Sequence, residues 1–193
     1  DGTLPDAAVT APDLVAGIDW ALAQNGRRDS PYFEHIDPQR IAASGRSCGG
    51  LLALRAAADP RVRAVVVHNS GTFPVDNKLM VGGVEGSRTL LNDLHTPVIY
   101  IMGGKTDIAY QNALDDFAAI ESQPVFLASQ DVGHGGSFRQ PNGGEGARIA
   151  VAWLDWQLQR SRRAGRLFTG KACGLCRVTG WTVMHKSMPG EAK

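Results

Sequence analysis

The apolar positions of the chain fall into alternating helix-like and strand-like patterns. Leu14, Ile18 and Leu22 recur at the spacing of an amphipathic helix, and the continuous β-branched run VRAVVVH is typical of a strand buried on both faces. The patterns predict strands at 40–44, 62–68, 98–102 and 125–128. They predict helices at 12–25, 51–59, 108–120 and 146–160.

Strands and helices alternate along residues 1–160. This order predicts an α/β domain with a mainly parallel sheet flanked by helices and joined by right-handed crossovers. Residues 161–193 follow the last predicted helix and are expected to form a basic tail. Reactive groups in such sheets lie in the loops beyond the carboxyl ends of the strands. Functional residues are therefore expected at the strand exits.

Charge separates these two parts of the chain. Residues 160–193 hold eight Lys or Arg and one acidic residue, whereas residues 1–159 hold twelve basic and eighteen acidic residues. A basic segment is a candidate for contact with nucleic acid or an anionic membrane. Aromatic and basic residues do not interleave here along a recognisable binding element, so we expect a solvated tail and no nucleic-acid partner.

The overall composition is that of a soluble globular protein, with 43% hydrophobic and 20% charged residues among 193. No apolar run reaches the roughly 18 residues that a membrane-spanning helix needs, so no membrane span is expected. The chain begins at Asp1 without a signal-like segment, and we expect a processed or truncated product.

Three cysteines are too few for a disulfide framework. Cys48 adjoins Ser47 and is expected to be a small buried apolar group. The C-x-x-C pair of Cys173 and Cys176 has three interpretations. A redox pair should lie near the start of a βαβ unit, and a zinc site needs two further ligands where only His185 is near. A local disulfide is favoured.

The segment GRSCGG places Ser47 in the pattern G-x-S-x-G, between a predicted strand and a predicted helix. A sharp strand-to-helix turn would expose the serine hydroxyl as a nucleophile and aim the Cys48 amide at a developing oxyanion. Glycines two residues before and after the serine would allow the backbones to meet closely. The alternative is a glycine-rich turn without catalytic function, which the position between strand and helix disfavours.

Asp107 follows the strand predicted at 98–102. A carboxylate here could orient an imidazole and stabilise its charged form. The alternative is that Asp107 caps the helix predicted from Ile108. Asp115 and Asp116 lie inside that helix and are expected to be solvated.

His134 follows the last predicted strand, in the glycine-rich segment DVGHGGSF. It completes the chain order Ser, Asp, His that is expected of the α/β-hydrolase arrangement. His68, at the end of the second predicted strand, is the best rival but precedes the acid in the sequence. We therefore predict Ser47 as nucleophile, His134 as base and Asp107 as orienting acid.

In the segments GRSCGG, PVIYIMGGKTDIAY and DVGHGGSF, residues 12–160 resemble the α/β-hydrolase superfamily. Within it, the chain is similar to secreted dienelactone-hydrolase and polyester-hydrolase types. The resemblance implies the roles just given for Ser47, Asp107 and His134. It also implies a reaction that uses no cofactor or metal, and a secreted or periplasmic location. The tail phrase CGLCRVTGWTV resembles that of secreted members and supports the local disulfide.

The chain departs from this family at its N-terminal side. The family serine follows the fifth of eight strands, whereas Ser47 follows the first predicted strand, so the loop that supplies a second oxyanion donor is missing. Losing one such donor costs about 2.7–4 kcal/mol. The strand at 40–44 would also keep an open edge. We expect a homodimer to cover it; the alternatives are a separate N-terminal chain or local pairing by residues 1–10.

These observations predict a serine esterase that cleaves a small ester or a polyester through an acyl-enzyme. The connection at 71–97 is too short for a large lid, which favours an open site. A peptidase of the prolyl-oligopeptidase type would use the same three residues. A degenerate hydrolase with a binding or structural role is the non-catalytic alternative.

Overall fold

Runs of β-branched and aromatic residues build a central sheet in the computed structural model, which describes residues 9–76, 80–81, 84–121 and 123–189. Its strands are β1 (Ile41–Arg46), β2 (Val62–His68), β3 (Met80–Val81), β4 (Val84–Glu85), β5 (Val98–Met102), β6 (Val125–Ser129) and β7 (Thr182–Lys186). Its α-helices are α1 (Ala11–Asn25), α2 (Cys48–Ala56), α3 (Tyr110–Ala119), α4 (Gly144–Gln159) and α5 (Arg162–Gly165).

The main sheet has the strand order β1-β2-β5-β6-β7. Its neighbouring strands are parallel except for β6 and β7, which are antiparallel. Strands β3 and β4 form a separate antiparallel ribbon in the connection between β2 and β5. Because the four parallel strands share one direction, their carboxyl ends meet at one edge, where the predicted functional loops begin.

Successive residues of the central strands face opposite layers of helices. Val65 of β2 and Tyr100 of β5 pack into one buried cluster with residues of α2 and α3. Val66 and Ile99, one residue along, pack into the other cluster with Trp153 of α4. A sheet covered on both faces explains why β2 and β5 read as continuous apolar runs. The predicted α/β class, a mainly parallel sheet flanked by helices, is confirmed.

The boundaries of the buried strands match the prediction most closely. Strands β2 and β5 have the predicted limits, and β6 extends one residue further. Helix α2 begins at Cys48, three residues before the predicted start, because it follows Ser47 directly. The ribbon of β3 and β4 was not predicted, since two-residue strands leave no recognisable pattern.

The segment after Arg160 was expected to be solvated, but its described part packs against the sheet. Phe168, Leu175 and Met188 are buried in the same cluster as Trp153. Strand β7 pairs with β6 along five residues and so covers the edge that β6 would otherwise expose. The prediction of a solvated tail was wrong because the buried apolar residues of this segment are widely spaced among basic ones and form no continuous run.

Asp116 corrects a second expectation, since its side chain is fully buried and not solvated. The carboxylate accepts hydrogen bonds from the amide and hydroxyl of Thr72 and from the hydroxyl of Tyr100, and Arg88 lies beside it. Burial raises the pKa of Asp116 above its ordinary value, against these hydrogen bonds. Asp116 therefore joins α3 to the loop that follows β2.

Strand β1 has one neighbour, β2, among the strands of the described residues. Local pairing with β1 was assigned as an alternative to residues 1–10, of which residues 1–8 lie outside the described residues. A homodimer that covers this edge stays a prediction.

None of the helices within the described ranges combines the length and apolar character needed to cross a membrane.

Candidate active site

Ser47 lies at the turn between β1 and α2. Its backbone has φ 52° and ψ −122°, a strained conformation for a residue with a side chain. Its amide donates to the carbonyl of His68 at 3.0 Å, which ties the turn to the end of β2. The Cys48 amide is the first of α2, at the positive end of the helix dipole, as the motif predicted.

The glycines around Ser47 have different functions. A Cβ on Gly45 would overlap the carbonyl of Gly49, so Gly45 is required by close approach of the backbone. A Cβ on Gly49 would meet nothing within 4 Å, whereas one on Gly50 would overlap Ser70. The motif therefore identified the close contact correctly, but the second residue without room for a side chain is Gly50 and not Gly49.

His134 reaches Ser47 from the loop that follows β6. Its Nε2 lies 3.1 Å from the Ser47 hydroxyl, and its Nδ1 lies 2.7 Å from Oδ1 of Asp107. Because a carboxylate only accepts, the Nδ1–H must donate to Asp107, which leaves the Nε2 lone pair directed at the serine hydroxyl. The structure thus brings together the three residues predicted from the sequence, which are separated by up to 87 positions.

Four donors hold the Asp107 carboxylate, whose side chain is fully buried. The amides of Gly103 and Ala109 each donate at 3.0 Å, and the Asn69 side chain donates at 2.7 Å. Burial acts against the charged form. The hydrogen bonds from Ala109, His134, Asn69 and Gly103 outweigh it and lower the pKa of Asp107. Asp107 therefore orders the start of α3 and holds His134 at the same time, so the two sequence interpretations do not exclude each other.

Asn69 is a member of the site that the sequence analysis missed. It follows β2, is only 2% exposed, and has a left-handed backbone with φ 45°, a conformation that Asn tolerates better than most residues. Its Nδ2 donates to Oδ2 of Asp107. Its position just beyond a buried strand is the one sequence signal that could have identified it.

Arg46 is the second missed residue. Its Nη2 donates to the backbone carbonyl of His134 at 2.6 Å, and its guanidinium lies 5.7 Å from the centre of the Phe138 ring. Arg46 immediately precedes Ser47, so this side chain connects the serine turn directly to the glycine-rich loop that carries His134. No sequence pattern indicates this contact, because 88 residues separate its two ends.

His68, the rival base, occupies a different environment. Its ring packs edge-to-face on Phe138 with centres 5.1 Å apart, and burial lowers its pKa to about 4. The ring is therefore neutral at pH 7. It lines a cavity of about 20 Å³, room for one water molecule, together with Val132 and Trp181. Trp181 comes from the C-terminal segment, so this segment and the loop that carries His134 line the same cavity.

No protein-family model matches the chain. A curated hydrolase named ORFZ from Pyricularia oryzae is 48% identical over 54 residues, which are 28% of this chain and 12% of that protein. The chain thus spans a small part of that relative.

Solved structures with the same fold include three hydrolases. A dienelactone hydrolase from Anabaena variabilis superposes with TM-score 0.51 and 22% identity over 77% of this chain and 59% of its own. A 2,6-dihydroxy-pseudo-oxynicotine hydrolase superposes with TM-score 0.57 and 18% identity over 81% of this chain and 48% of its own. A puromycin-hydrolyzing peptidase from Mycobacterium tuberculosis superposes with TM-score 0.55 and 18% identity over 77% of this chain and 25% of its own. The chain therefore has the α/β-hydrolase fold, as its sequence predicted.

Proposed function

We propose that this chain is a serine hydrolase that cleaves carboxylic esters through a covalent acyl-enzyme. The observation that carries the proposal is the continuous series of hydrogen bonds from Ser47 through His134 to Asp107, at the carboxyl ends of parallel strands. The α/β-hydrolase fold of the chain supports the broader assignment to the hydrolases.

Each side chain has one task in the proposed reaction. His134 Nε2 takes the hydroxyl proton of Ser47 while the serine oxygen attacks the ester carbonyl. The buried Asp107 carboxylate keeps the ring in the required tautomer and stabilises its positive charge. The Cys48 amide donates to the developing oxyanion. His134 then protonates the leaving alcohol, and a water molecule, activated by the same nitrogen, releases the acid and regenerates Ser47.

Exposed apolar side chains that lie close in the chain to Asp107 and His134 support an apolar ester as substrate. Ile108 follows Asp107 directly and is 82% exposed, and Phe138, in the loop after His134, is 49% exposed. Burying such groups against the acyl or alcohol part of a substrate is favourable by about 25 cal/mol per Å². Exposure of both groups suits a small ester or the surface of a polyester.

Hydrolysis of p-nitrophenyl acetate by the purified chain tests the proposal. We expect turnover in the wild type and none above background in Ser47→Ala. Ser44→Ala is the matched control, because Ser44 is an exposed serine on β1 three residues away, and it should retain the wild-type rate. A fluorophosphonate should add its mass once per chain in the wild type and in Ser44→Ala, but not in Ser47→Ala.

The outcomes distinguish the alternatives. Turnover that survives Ser47→Ala contradicts the nucleophile assignment. Turnover of the p-nitroanilide of a short peptide that exceeds that of the matched ester would favour a peptidase, in line with the fold that the chain shares with the puromycin-hydrolyzing peptidase. Absence of both turnover and labelling in folded wild-type protein would favour a non-catalytic scaffold.

Export to the periplasm or the medium is part of the same proposal. The disulfide between Cys173 and Cys176 supports it, because disulfides persist mainly in oxidising compartments.

A further inference from the structure

A second cluster of reactive side chains lies in the C-terminal segment. Cys173 and Cys176 are joined by a disulfide, and the two sulfurs and a ring nitrogen of His185 all lie within 4.8 Å of one another. The sequence alone offered His185 only as a nearby residue. The fold brings it into contact range of the cysteine pair.

Rigid surroundings hold the three side chains together. Cys173 is 1% exposed and belongs to the buried cluster of the α4 layer, and a short helical turn at Leu175–Arg177 sets a Cα separation of 5.0 Å between the cysteines. His185 lies on β7 opposite Phe126 of β6, and the two rings are nearly parallel with their centres 5.7 Å apart. The imidazole is therefore oriented by the sheet before any ligand binds.

The chemistry of the cluster suits a soft divalent cation. Two thiolates spaced C-x-x-C and one imidazole are ligands that Zn²⁺ prefers in proteins. The amide of Cys176 donates to the Cys173 sulfur at 3.1 Å, and a hydrogen bond of this kind becomes stronger when the sulfur is a thiolate. Cys176 is exposed, so a water molecule can reach the fourth position of a tetrahedral ion.

We propose that the reduced form of this chain binds Zn²⁺ through Cys173, Cys176 and His185, with water as the fourth ligand. A dithiol reduces the disulfide: two electrons and two protons pass to the cysteine sulfurs, and the dithiol becomes a disulfide. Metal binding then forms two S–Zn bonds and one N–Zn bond, and both thiol protons pass to solvent.

The disulfide and the metal exclude each other, because both use the same sulfur electrons. A chain is synthesised in a reducing compartment before it reaches an oxidising one. This order of states rests on the export proposed above: an exported chain would hold the metal form first and the disulfide afterwards.

Cobalt titration of the full chain tests the site without any dependence on esterase activity. The chain is reduced with dithiothreitol, desalted without oxygen, and shown to contain three free thiols, Cys48 included. We expect one equivalent of Co²⁺ to bind with a sulfur-to-cobalt charge-transfer band and the visible bands of a tetrahedral ion. Zn²⁺ should displace it, and the oxidised chain should give no band.

Variants locate the ion. Cys176→Ser and His185→Gln should each weaken binding by more than the roughly 10–100-fold that loss of an outer-shell partner costs. Cys48→Ser removes the remaining thiol and His35→Gln removes an exposed loop histidine, and both should bind as the wild type does.

Two results of the binding experiments would overturn the proposal. One is a reduced chain with three titratable thiols that binds no Co²⁺ or Zn²⁺. The other is binding that survives both Cys176→Ser and His185→Gln, since the ion then lies elsewhere. Should reduction unfold the chain, Zn²⁺ is expected to restore its far-ultraviolet circular dichroism, because metal binding would then drive folding. A reduced chain that stays unfolded with Zn²⁺ also contradicts the site.

Discussion

Replacing Asn69 should slow ester hydrolysis although Asn69 is not one of the three reacting side chains. Its Nδ2 donates to Oδ2 of Asp107 at 2.7 Å in a buried environment. A hydrogen bond to a charged group contributes about 1.5–3 kcal/mol, and each 1.36 kcal/mol corresponds to a factor of ten in rate. Because the amides of Gly103 and Ala109 still hold the carboxylate, we expect the lower part of that range, a loss of about 10- to 30-fold in kcat.

The backbone of Asn69 decides which variants are informative. With φ 45°, an alanine would be strained, whereas a glycine adopts this conformation freely. Asn69→Gly therefore removes the amide without adding strain, and Asn69→Ala removes it with about 1–2 kcal/mol of additional strain. Both variants should lose kcat by the same factor, and Asn69→Ala should also show a lower free energy of unfolding in urea than Asn69→Gly.

The pH dependence of stability provides a second measurement. The pKa of Asp107 is lowered in the folded chain, so the ionised carboxylate stabilises the fold above the unfolded-state pKa of about 3.9. That stabilisation is lost as the pH falls through the folded-state value. Without the Asn69 amide the folded-state pKa rises, and the acid-unfolding midpoint should move to higher pH. An unchanged kcat in Asn69→Gly, with p-nitrophenyl acetate as substrate, would refute the reasoning.

Three further changes test other parts of the site. Asp107→Asn should lower kcat by about 10⁴-fold, because an amide favours the wrong tautomer of His134, and a rate near that of the wild type would leave Asp107 only its role at the start of α3. Arg46→Met keeps much of the apolar stem but loses the hydrogen bond to the His134 carbonyl and the contact with Phe138, so kcat should fall by about tenfold with a small change in KM. Arg40, which immediately precedes the other end of β1, provides the control. An equal loss of kcat in Arg40→Met would contradict a specific effect of Arg46. Burial holds the pKa of His68 at about 4, so its neutral ring stabilises the fold above pH 6.5 and this contribution is lost as the pH falls towards 4. Between pH 7 and pH 5 the free energy of unfolding in urea should therefore fall by about 2 kcal/mol in the wild type, and this fall should be absent in His68→Gln. An equal fall in both proteins would contradict the reasoning.

The local pattern of the sequence was enough for the central strands and the nucleophile turn. Strands β2 and β5 are continuous β-branched or aromatic runs between polar turns. Because such a run is apolar on both sides, it fits only a strand whose two faces are both buried. The turn at Ser47 is encoded within six residues, because Gly45 must contact the backbone of Gly49. The chain order of Ser47, Asp107 and His134 followed from locating three strand exits.

The tertiary structure alone decided the partners that these residues have. Asn69 contacts Asp107 across 38 positions of the chain, and Arg46 contacts His134 across 88. The hydrophobic periodicity of a segment cannot predict such contacts, because they form only when the strands lie side by side in the sheet. Asp116 carries the local pattern of a surface carboxylate, yet the packing of α3 on the loop after β2 buries it.

The C-terminal segment shows the same limit on a larger scale. Strand β7 has no buried residue, only exposed and half-buried ones, so its pattern is too weak to be recognised alone. It becomes a strand because the edge of β6 offers unpaired backbone groups. That pairing places His185 beside Cys173 and Cys176. Sequence determines which segments can be buried and where a turn must be tight, whereas long-range packing determines which polar groups face each other, since that depends on the whole arrangement of the sheet.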